Sequence, residues 1–501
     1  MISGCLKCDK EFPRDGFGSK ADYSGFDEKT WNLRENQAHR DQANSTRCAR
    51  TASDKAKEEK EHGARYSELY RLHYYDAIRM VIIDPMHNLL LGSAKHVMKT
   101  WHELNILTDE KFIKIQEIVD NMIVPTDMGR IPGRIKTRFA GFTADQWRNW
   151  TCYFSLPALK SIIPDKDYKC WQKFVLACTI LCSRQISEMD LLKAHGLLKA
   201  FCKSFSDIYG KDRCTPNLHL HMHLKDCIQD YGPVYSFWLF SYERYNGTMT
   251  SIHSNNRLLS VQLMRKFTVR TQLMGAEWPG EFTAYQDILD ADSKGVGALK
   301  EMDMRVENDL DSLSSVLSID EADYTISEHH IPLGKGKQYI LEPEERRDCT
   351  EMLEKLHPES RVNVLCEVTK YNRLRQGSST LYAGEDYGSV ILAKWYDEDT
   401  INGEAQTRPG KITEILLIDV VVTMNGKRKK LSYYIGIIWW YKPHQHRHFC
   451  GSPVTIWSTD IEPPSVASFM PLQRVCSKCV VSKQRVMFPD MHETVLHLIP
   501  M

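Results

Sequence analysis

The sequence predicts a mixed α/β protein, helical through its middle and β-rich over its last third. Three observations carry that prediction. After Pro85 the apolar residues Met86, Leu89, Leu90, Ala94, Val97, Met98 and Trp101 recur at helical spacing. From about residue 336, runs rich in β-branched residues take over, with a turn signal between two of them. Residues 291–335 separate the two regions and have the composition of a solvated linker: Glu301 to Asp323 hold eight acidic residues and one basic.

Taken in order, residues 1–65 are polar and loop-rich and end in "SDKAKEEKEHGAR", a solvated helix face. "IRMVIID" (Ile78–Asp84) has the composition of a short buried strand. Pro85 then takes the first helical position, where its missing N–H costs nothing. Residues 105–210 read as mostly helical, most clearly in "CWQKFVLACTILCSR" and "EMDLLKAHGLLKAFCKSFSDIYG". Cys170, Cys178, Cys182 and Cys202 fall inside helical patterns and read as packed thiols. In "GRIPGRIKTRFAGFTADQWRNW" a basic loop leads to Thr143 or Asp145 as a helix cap. Residues 212–256 are dense in aromatics and histidines, and a basic helix, "RLLSVQLMRKFTVRTQL", follows. Beyond the linker, "RVNVLCEVTKY", "GSVILAKWY" and "ITEILLIDVVVTM" read as strands. "MNGK" (Met424–Lys427) supplies the Asn-Gly pair favoured in two-residue hairpin turns. Residues 336–501 are expected to form a small antiparallel barrel or sandwich.

The chain's 501 residues suffice for two or three domains. Formal net charge is zero, so any affinity for nucleic acid has to come from local basic patches. No apolar run approaches the roughly 18 residues of a membrane span. The start, "MISGCLKCDKEF", lacks the basic and apolar regions of a signal peptide. Fifteen cysteines in so long a chain are too sparse for a disulfide scaffold, so reduced thiols are expected.

Several residues are candidates for chemistry. Asp84, at the end of an apolar run, is placed either to hold a divalent cation at a sheet edge or to cap the helix after Pro85. Glu243, in "YSFWLFSYERYNG", has aromatic neighbours expected to desolvate it in part, and so needs Arg244, a backbone donor or a metal as partner. His219, His221 and His223 alternate in "LHLHMHL". On a strand all three share a face; on a helix only His219 and His223 do. Zinc takes four ligands, and the Cys5/Cys8 pair can supply the two that a histidine pair lacks. A second CxxC, Cys476/Cys479, together with "HQHRHFC" (His444–Cys450), leaves open a second zinc site or simple packed thiols. Basic residues cluster at Arg130, Arg134, Lys136 and Arg138, at Arg257, Arg265, Lys266 and Arg270, and at the hairpin tip Lys427–Lys430. Such clusters suit contacts to DNA phosphates, which need charge but no sequence code.

In combination, "CLKCDKEFP", "DPMHNLLLG", "FTADQWRNW", "HLHMH" and "GPVYSFWLFSYERYNG" resemble, in order, motifs of the transposases of CACTA (En/Spm-like) DNA transposons, within the DDE group. The resemblance covers about residues 1–290 and, more loosely, the β-rich tail. It implies a partial RNase H-like core with a long helical insertion at about 100–215. It implies that Asp84 is the second catalytic Asp, that His87 completes its D-x-x-H motif, and that Glu243 is the catalytic Glu. Cys5, Cys8, His219 and His223 match the zinc-binding set. Such enzymes use Mg²⁺ ions held by three carboxylates to cut DNA and join strands. The first Asp belongs well upstream of the CxxC, where only Met1–Gly4 stand. The resemblance therefore implies a transposon-derived, nuclear, DNA-binding protein, able to form homo-oligomers and inactive in cleavage by itself. The other expectation is a co-opted, non-catalytic DNA- or chromatin-binding protein.

Overall fold

The structure is a computed structural model that describes residues 2–3, 5–14, 21–126, 128–129, 131–251, 257–274, 330–357, 360–376, 379–384, 388–395, 406–424 and 427–501. Most of the expected acidic linker lies outside the described residues. The chain divides into two compact units.

The first unit comprises Met1–Asp109, Thr137–Cys152 and Ile163–Gly295. It opens with a minimal hairpin, β1 (Ile2–Ser3) against β2 (Glu11–Phe12). Helices α1 (Asn36–Cys48), α2 (Ala52–His62) and α3 (Lys95–Glu103) follow, the last continuing a π-helical stretch over Met86–Ala94. Next in this unit come α6 (Ala144–Asn149) and the long pair α8 (Asp165–Leu181) and α9 (Glu188–Tyr209); of the other helices in that stretch, α4 (Asp109–Asp120), after its first residue, and α7 (Ser155–Leu159) belong to the second unit, and α5 (Ile135–Arg138) is split between the two. Helices α10 (Pro216–Leu220), α11 (Leu224–Tyr231), α12 (Phe240–Thr250) and α13 (Leu259–Met274) complete the unit.

Local chemistry sets several helix starts. Thr143 and Gln146 form a capping box at α6, so the expected cap is Thr143. Ser187 accepts from Asp190 N–H at α9. Helices α8 and α9 pack through buried aromatics, with the Phe174 and Phe201 rings 4.8 Å apart. Cys170, Cys178 and Cys202 are buried there and Cys182 partly so, as packed thiols. One polar chain crosses this core: Trp101 Nε1 donates to the Tyr209 hydroxyl (2.7 Å), which donates to Asp167 Oδ1 (2.6 Å).

Ile78–Asp84 is not the expected strand. It runs as turns and bends, with Met80 and Ile82 exposed, and no described strand pairs with it. Its backbone groups are met by side chains instead. Asp76 Oδ1 accepts from the N–H groups of Ile78 and Arg79 (both 2.8 Å), and Lys7 Nζ donates to Ile78 O (2.5 Å). Such local side-chain bonds offer the backbone an alternative to a sheet ladder.

The second unit comprises Glu110–Lys136, Tyr153–Ile162 and Val296–Met501. The stretch 100–215, expected as one insertion, is thus shared between the units. Ile123 and Val481 exchange both backbone hydrogen bonds (2.9 and 3.0 Å), and Gln484 Nε2 donates to Pro157 O (3.2 Å). The strands are β3 (His330–Pro332), β4 (Lys337–Ile340), β5 (Arg361–Val364), β6 (Glu367–Tyr371), β7 (Arg373–Gln376), β8 (Ser379–Tyr382) and β9 (Val390–Trp395). They continue as β10 (Gln406–Met424), β11 (Lys427–Pro443), β12 (Thr455–Ile461), β13 (Phe469–Pro471), β14 (Val475–Met487) and β15 (His492–Pro500). One helix, α14 (Pro343–Leu356), joins them.

All the pairings are antiparallel. β10, β11, β12, β15, β14 and β9 pair in that sequence, and β9 pairs back to β10, which closes a ring of six strands. Closure removes free edges from those strands. Val390, Trp457, Cys479, Val481, Leu496 and Leu498 form one of its cores. The β10–β11 hairpin pairs Met424 with Lys427, the register that an Asn-Gly two-residue turn requires. Its outer half carries β5, β6 and β13.

Candidate metal centre

Four side chains of the first unit converge. Cys5 and Cys8 sit on the loop between β1 and β2, and His219 and His223 sit four residues apart where α10 runs into α11. Their ligand atoms all lie within 4.8 Å of one another, and all four residues are buried. Cys8 Sγ is 3.4 Å from His219 Nε2, and His219 Nε2 is 3.4 Å from His223 Nε2. A tetrahedral zinc site has S···N edges of about 3.6 Å and N···N edges of about 3.3 Å, from its usual bond lengths. Two ring nitrogens at that distance fit the edge of a shared cation's ligand set. The chemistry of the set, two thiolates and two imidazoles, suits zinc, and the cluster can hold such a metal.

The local sequence explains the convergence. The N–H of Lys7 donates to Cys5 Sγ (3.3 Å), which turns the CxxC loop and orients the thiol. Arg34 Nε donates to Cys8 O (3.1 Å), and Arg34 N–H to Lys7 O (3.0 Å), fixing the loop to the segment after Trp31. Pro216 begins α10, which makes the helical spacing of His219 and His223 the operative one. His221 points elsewhere: its Nε2 lies 3.0 Å from Ser93 Oγ and its Nδ1 3.5 Å from Cys202 Sγ. Gly92 allows α10 to approach, since a Cβ there would strike the Asn217 side chain and come within 2.6 Å of His87 O. Asn88 Nδ2 donates to Asn217 O (3.0 Å) across the same contact.

Electrostatics agree with a cation site. The hydrogen bond from Cys8 lowers the Cys5 pKa, against burial, and the two histidines add to the effect. The same bond, with burial, raises Cys8. Burial lowers His219, which favours the neutral imidazole that metals require. Its Nδ1 is buried without a protein partner, so packing between Phe12 and Trp31, with ring centroids 4.9 and 4.6 Å away, sets the ring.

Asp84, His87 and Glu243 are arranged differently from expectation. Asp84 Oδ1 accepts from the N–H groups of Met86 (3.2 Å) and Leu239 (2.9 Å). Its Oδ2 accepts from His87 N–H (3.0 Å) and lies 2.5 Å from His87 Nδ1. The described contacts are those of a cap. Glu243 stands in the first turn of α12, and its N–H donates to Leu239 O (2.9 Å). Asp84 and Glu243 thus both stand at helix starts and not on sheet strands; the Asp84 carboxylate reaches the N–H of Leu239, whereas the Glu243 bond is the ordinary first-turn backbone bond of α12. Glu243 is exposed, as are Tyr242 and Tyr245, so the expected aromatic desolvation is not found: the buried Phe237 and Trp238 precede the helix. Among the described residues, the Cys5 cluster is the one gathering of three or more metal-ligating side chains within that distance, and it does not include Asp84, His87 or Glu243.

Cys476 and Cys479 both lie on β14, where Cys476 is exposed and Cys479 sits in the barrel core. The register shifts at Cys476, between Val475 and Ser477, and among the described residues the pair belongs to no gathering of three or more metal-ligating side chains. His444 and His446 bond carboxylates instead, Glu493 (3.2 Å) and Asp490 (2.7 Å).

Of the basic residues, Arg134 and Lys136 are exposed in the second unit; Arg257, Arg265 and Lys266 are exposed in the first, before and on α13. Arg130 lies outside the described residues, as do the side chains of Arg138, Arg270 and Lys427. At the hairpin tip, Lys430 pairs with Asp419 (2.8 Å). No described helix is long and apolar enough to cross a membrane.

No protein-family model matches the chain, and no curated protein or solved structure matches it significantly.

Proposed function

We propose that the protein is a transposase-derived, DNA-binding protein of the CACTA type, nuclear, with zinc at the Cys5, Cys8, His219, His223 knot. One observation carries the reading: ligands separated by 211 residues between Cys8 and His219 meet in a buried S₂N₂ set. That is the set the resemblance implies. In its family, Mg²⁺ at the carboxylates would supply Lewis-acid activation of the scissile phosphate. Here Asp84 already accepts four hydrogen bonds, and Glu243 is solvated. Those facts favour a chain that does not cut DNA, which is also what is expected of a co-opted DNA- or chromatin-binding protein.

Helix α13 is the candidate contact. It has 16 residues, none of them acidic, and the side chains of Arg265 and Lys266 are exposed. Duplex DNA titrated with the full chain should bind with a marked salt dependence. Each of Arg257→Ala, Arg265→Ala and Lys266→Ala should reduce the slope of log K against log salt by about one for every phosphate the native side chain neutralises. Supercoiled DNA with Mg²⁺ should stay intact. Salt-independent binding would sink the DNA reading. Mg²⁺-dependent cleavage abolished by Asp84→Asn and by Glu243→Gln would restore the enzyme. Terminal inverted repeats flanking the gene separate a resident transposon from a co-opted gene.

A further inference from the structure

The segment Ile78–Asp84, which has no sheet to hold it, is gripped from two sides, and both grips belong to the metal knot. From the CxxC loop, Lys7 reaches across with its Nζ 2.5 Å from Ile78 O and 3.4 Å from Arg79 O. Lys7 is 6% exposed, so its ammonium depends on those acceptors. From α11, which begins at the residue after His223, come three further contacts. Arg79 forms an ion pair with Asp230, the Tyr231 hydroxyl donates to Arg79 O (3.3 Å), and Ile83 N–H bonds the Cys227 thiol. Asp84 follows at once, with its carboxylate held by the N–H groups of Met86, His87 and Leu239.

A metal at the knot would join the loop carrying Lys7 to the helix carrying Asp230. Such a link would add to the packing of Phe12 and Trp31 against His219, which already joins the two. We propose that Lys7 is a positioning residue through which metal binding at the knot sets the Asp84 carboxylate. The inference rests on the metal half of the proposed function and not on the DNA half. The knot is then more than a staple for the fold: its occupancy governs the geometry of the D-x-x-H motif.

Hydrogen exchange on the zinc-loaded full chain, with no DNA present, tests this. Removing zinc with a chelator should speed exchange at the amides of Met86, His87 and Leu239 by roughly tenfold or more, while β10 amides such as Leu416 and Val420 are unchanged. Lys7→Met should keep about one zinc per chain and yet speed the same three amides. Three results would overturn the proposal. Chelation that leaves the three amides protected shows that the metal does not set Asp84. Unchanged exchange in Lys7→Met shows that Lys7 is not the link. Loss of zinc in Lys7→Met makes Lys7 part of the knot itself. A failure to bind DNA would affect none of these readouts.

Discussion

Replacing Cys8 by serine tests the knot where it is tightest. Cys8 is fully buried, and its sulfur lies 3.4 Å from His219 Nε2. A structural zinc contributes roughly 10–16 kcal/mol to folding in small zinc domains. Shared evenly over four ligands, one thiolate accounts for about 2.5–4 kcal/mol, or roughly a hundred- to a thousandfold in affinity. Cys8→Ser should therefore lose zinc to a chelator that leaves the wild type loaded, as read by metal analysis after dialysis. The control is His221→Ala, two residues from His219 but bonded to Ser93 and Cys202. It should cost about 2–4 kcal/mol of stability through a buried cavity and a missing hydrogen bond, yet keep its zinc. Equal zinc affinity in Cys8→Ser and wild type, or zinc loss in His221→Ala with retention in His219→Ala, would refute the ligand assignment.

Three further outcomes follow from the packing. Gly92→Ala should lower the melting temperature by pushing the Asn217 side chain of α10 away and crowding His87 O within its own π-helical turn, at a cost of about 1–3 kcal/mol; an unchanged melt would mean the close approach is not needed. Tyr209→Phe leaves Trp101 Nε1 and Asp167 short of a partner and should cost about 2–3 kcal/mol in urea denaturation, against near-zero if the chain Trp101–Tyr209–Asp167 carries nothing. Burial pushes His497 down to about 4 from its usual 6.5. Between those values the unfolded chain takes up a proton that the folded unit refuses. Stability of the β-rich unit is therefore full above the usual value and falls as pH drops through the window, by about 3 kcal/mol. His497→Leu should flatten that part of the pH profile, and an equal slope in both proteins would contradict it.

What the sequence made legible is what local spacing encodes. His219 and His223 share a face without His221 only on a helix, and Pro216 at its start made the helix. The Asn-Gly pair fixed a hairpin register, and Thr143 with Gln146 spelled a cap. What stayed hidden depends on partners far along the chain. An apolar run such as Ile78–Ile83 looks like a strand, but a strand needs a neighbour to bond, and turns bonded by Asp76 and Lys7 took its place. Glu243 looked shielded because aromatics surround it in sequence, yet Trp238 faces the core while Tyr242 and Tyr245 face water. The pairing of Ile123 with Val481, which gives part of the helical region to the β-rich unit, leaves no trace in composition. Lys7 had one signal: a long cation between two cysteines, where a loop ligating metal has little need of one.

X-ray absorption at the zinc edge of the purified, zinc-loaded chain is the most direct test of the metal assignment. It should show two sulfur scatterers near 2.3 Å and two nitrogen scatterers near 2.0 Å, roughly the values for a Cys₂His₂ site. A shell of oxygen and nitrogen alone, or four sulfurs, would mean that the metal sits elsewhere and that Cys5, Cys8, His219 and His223 do not bind it together.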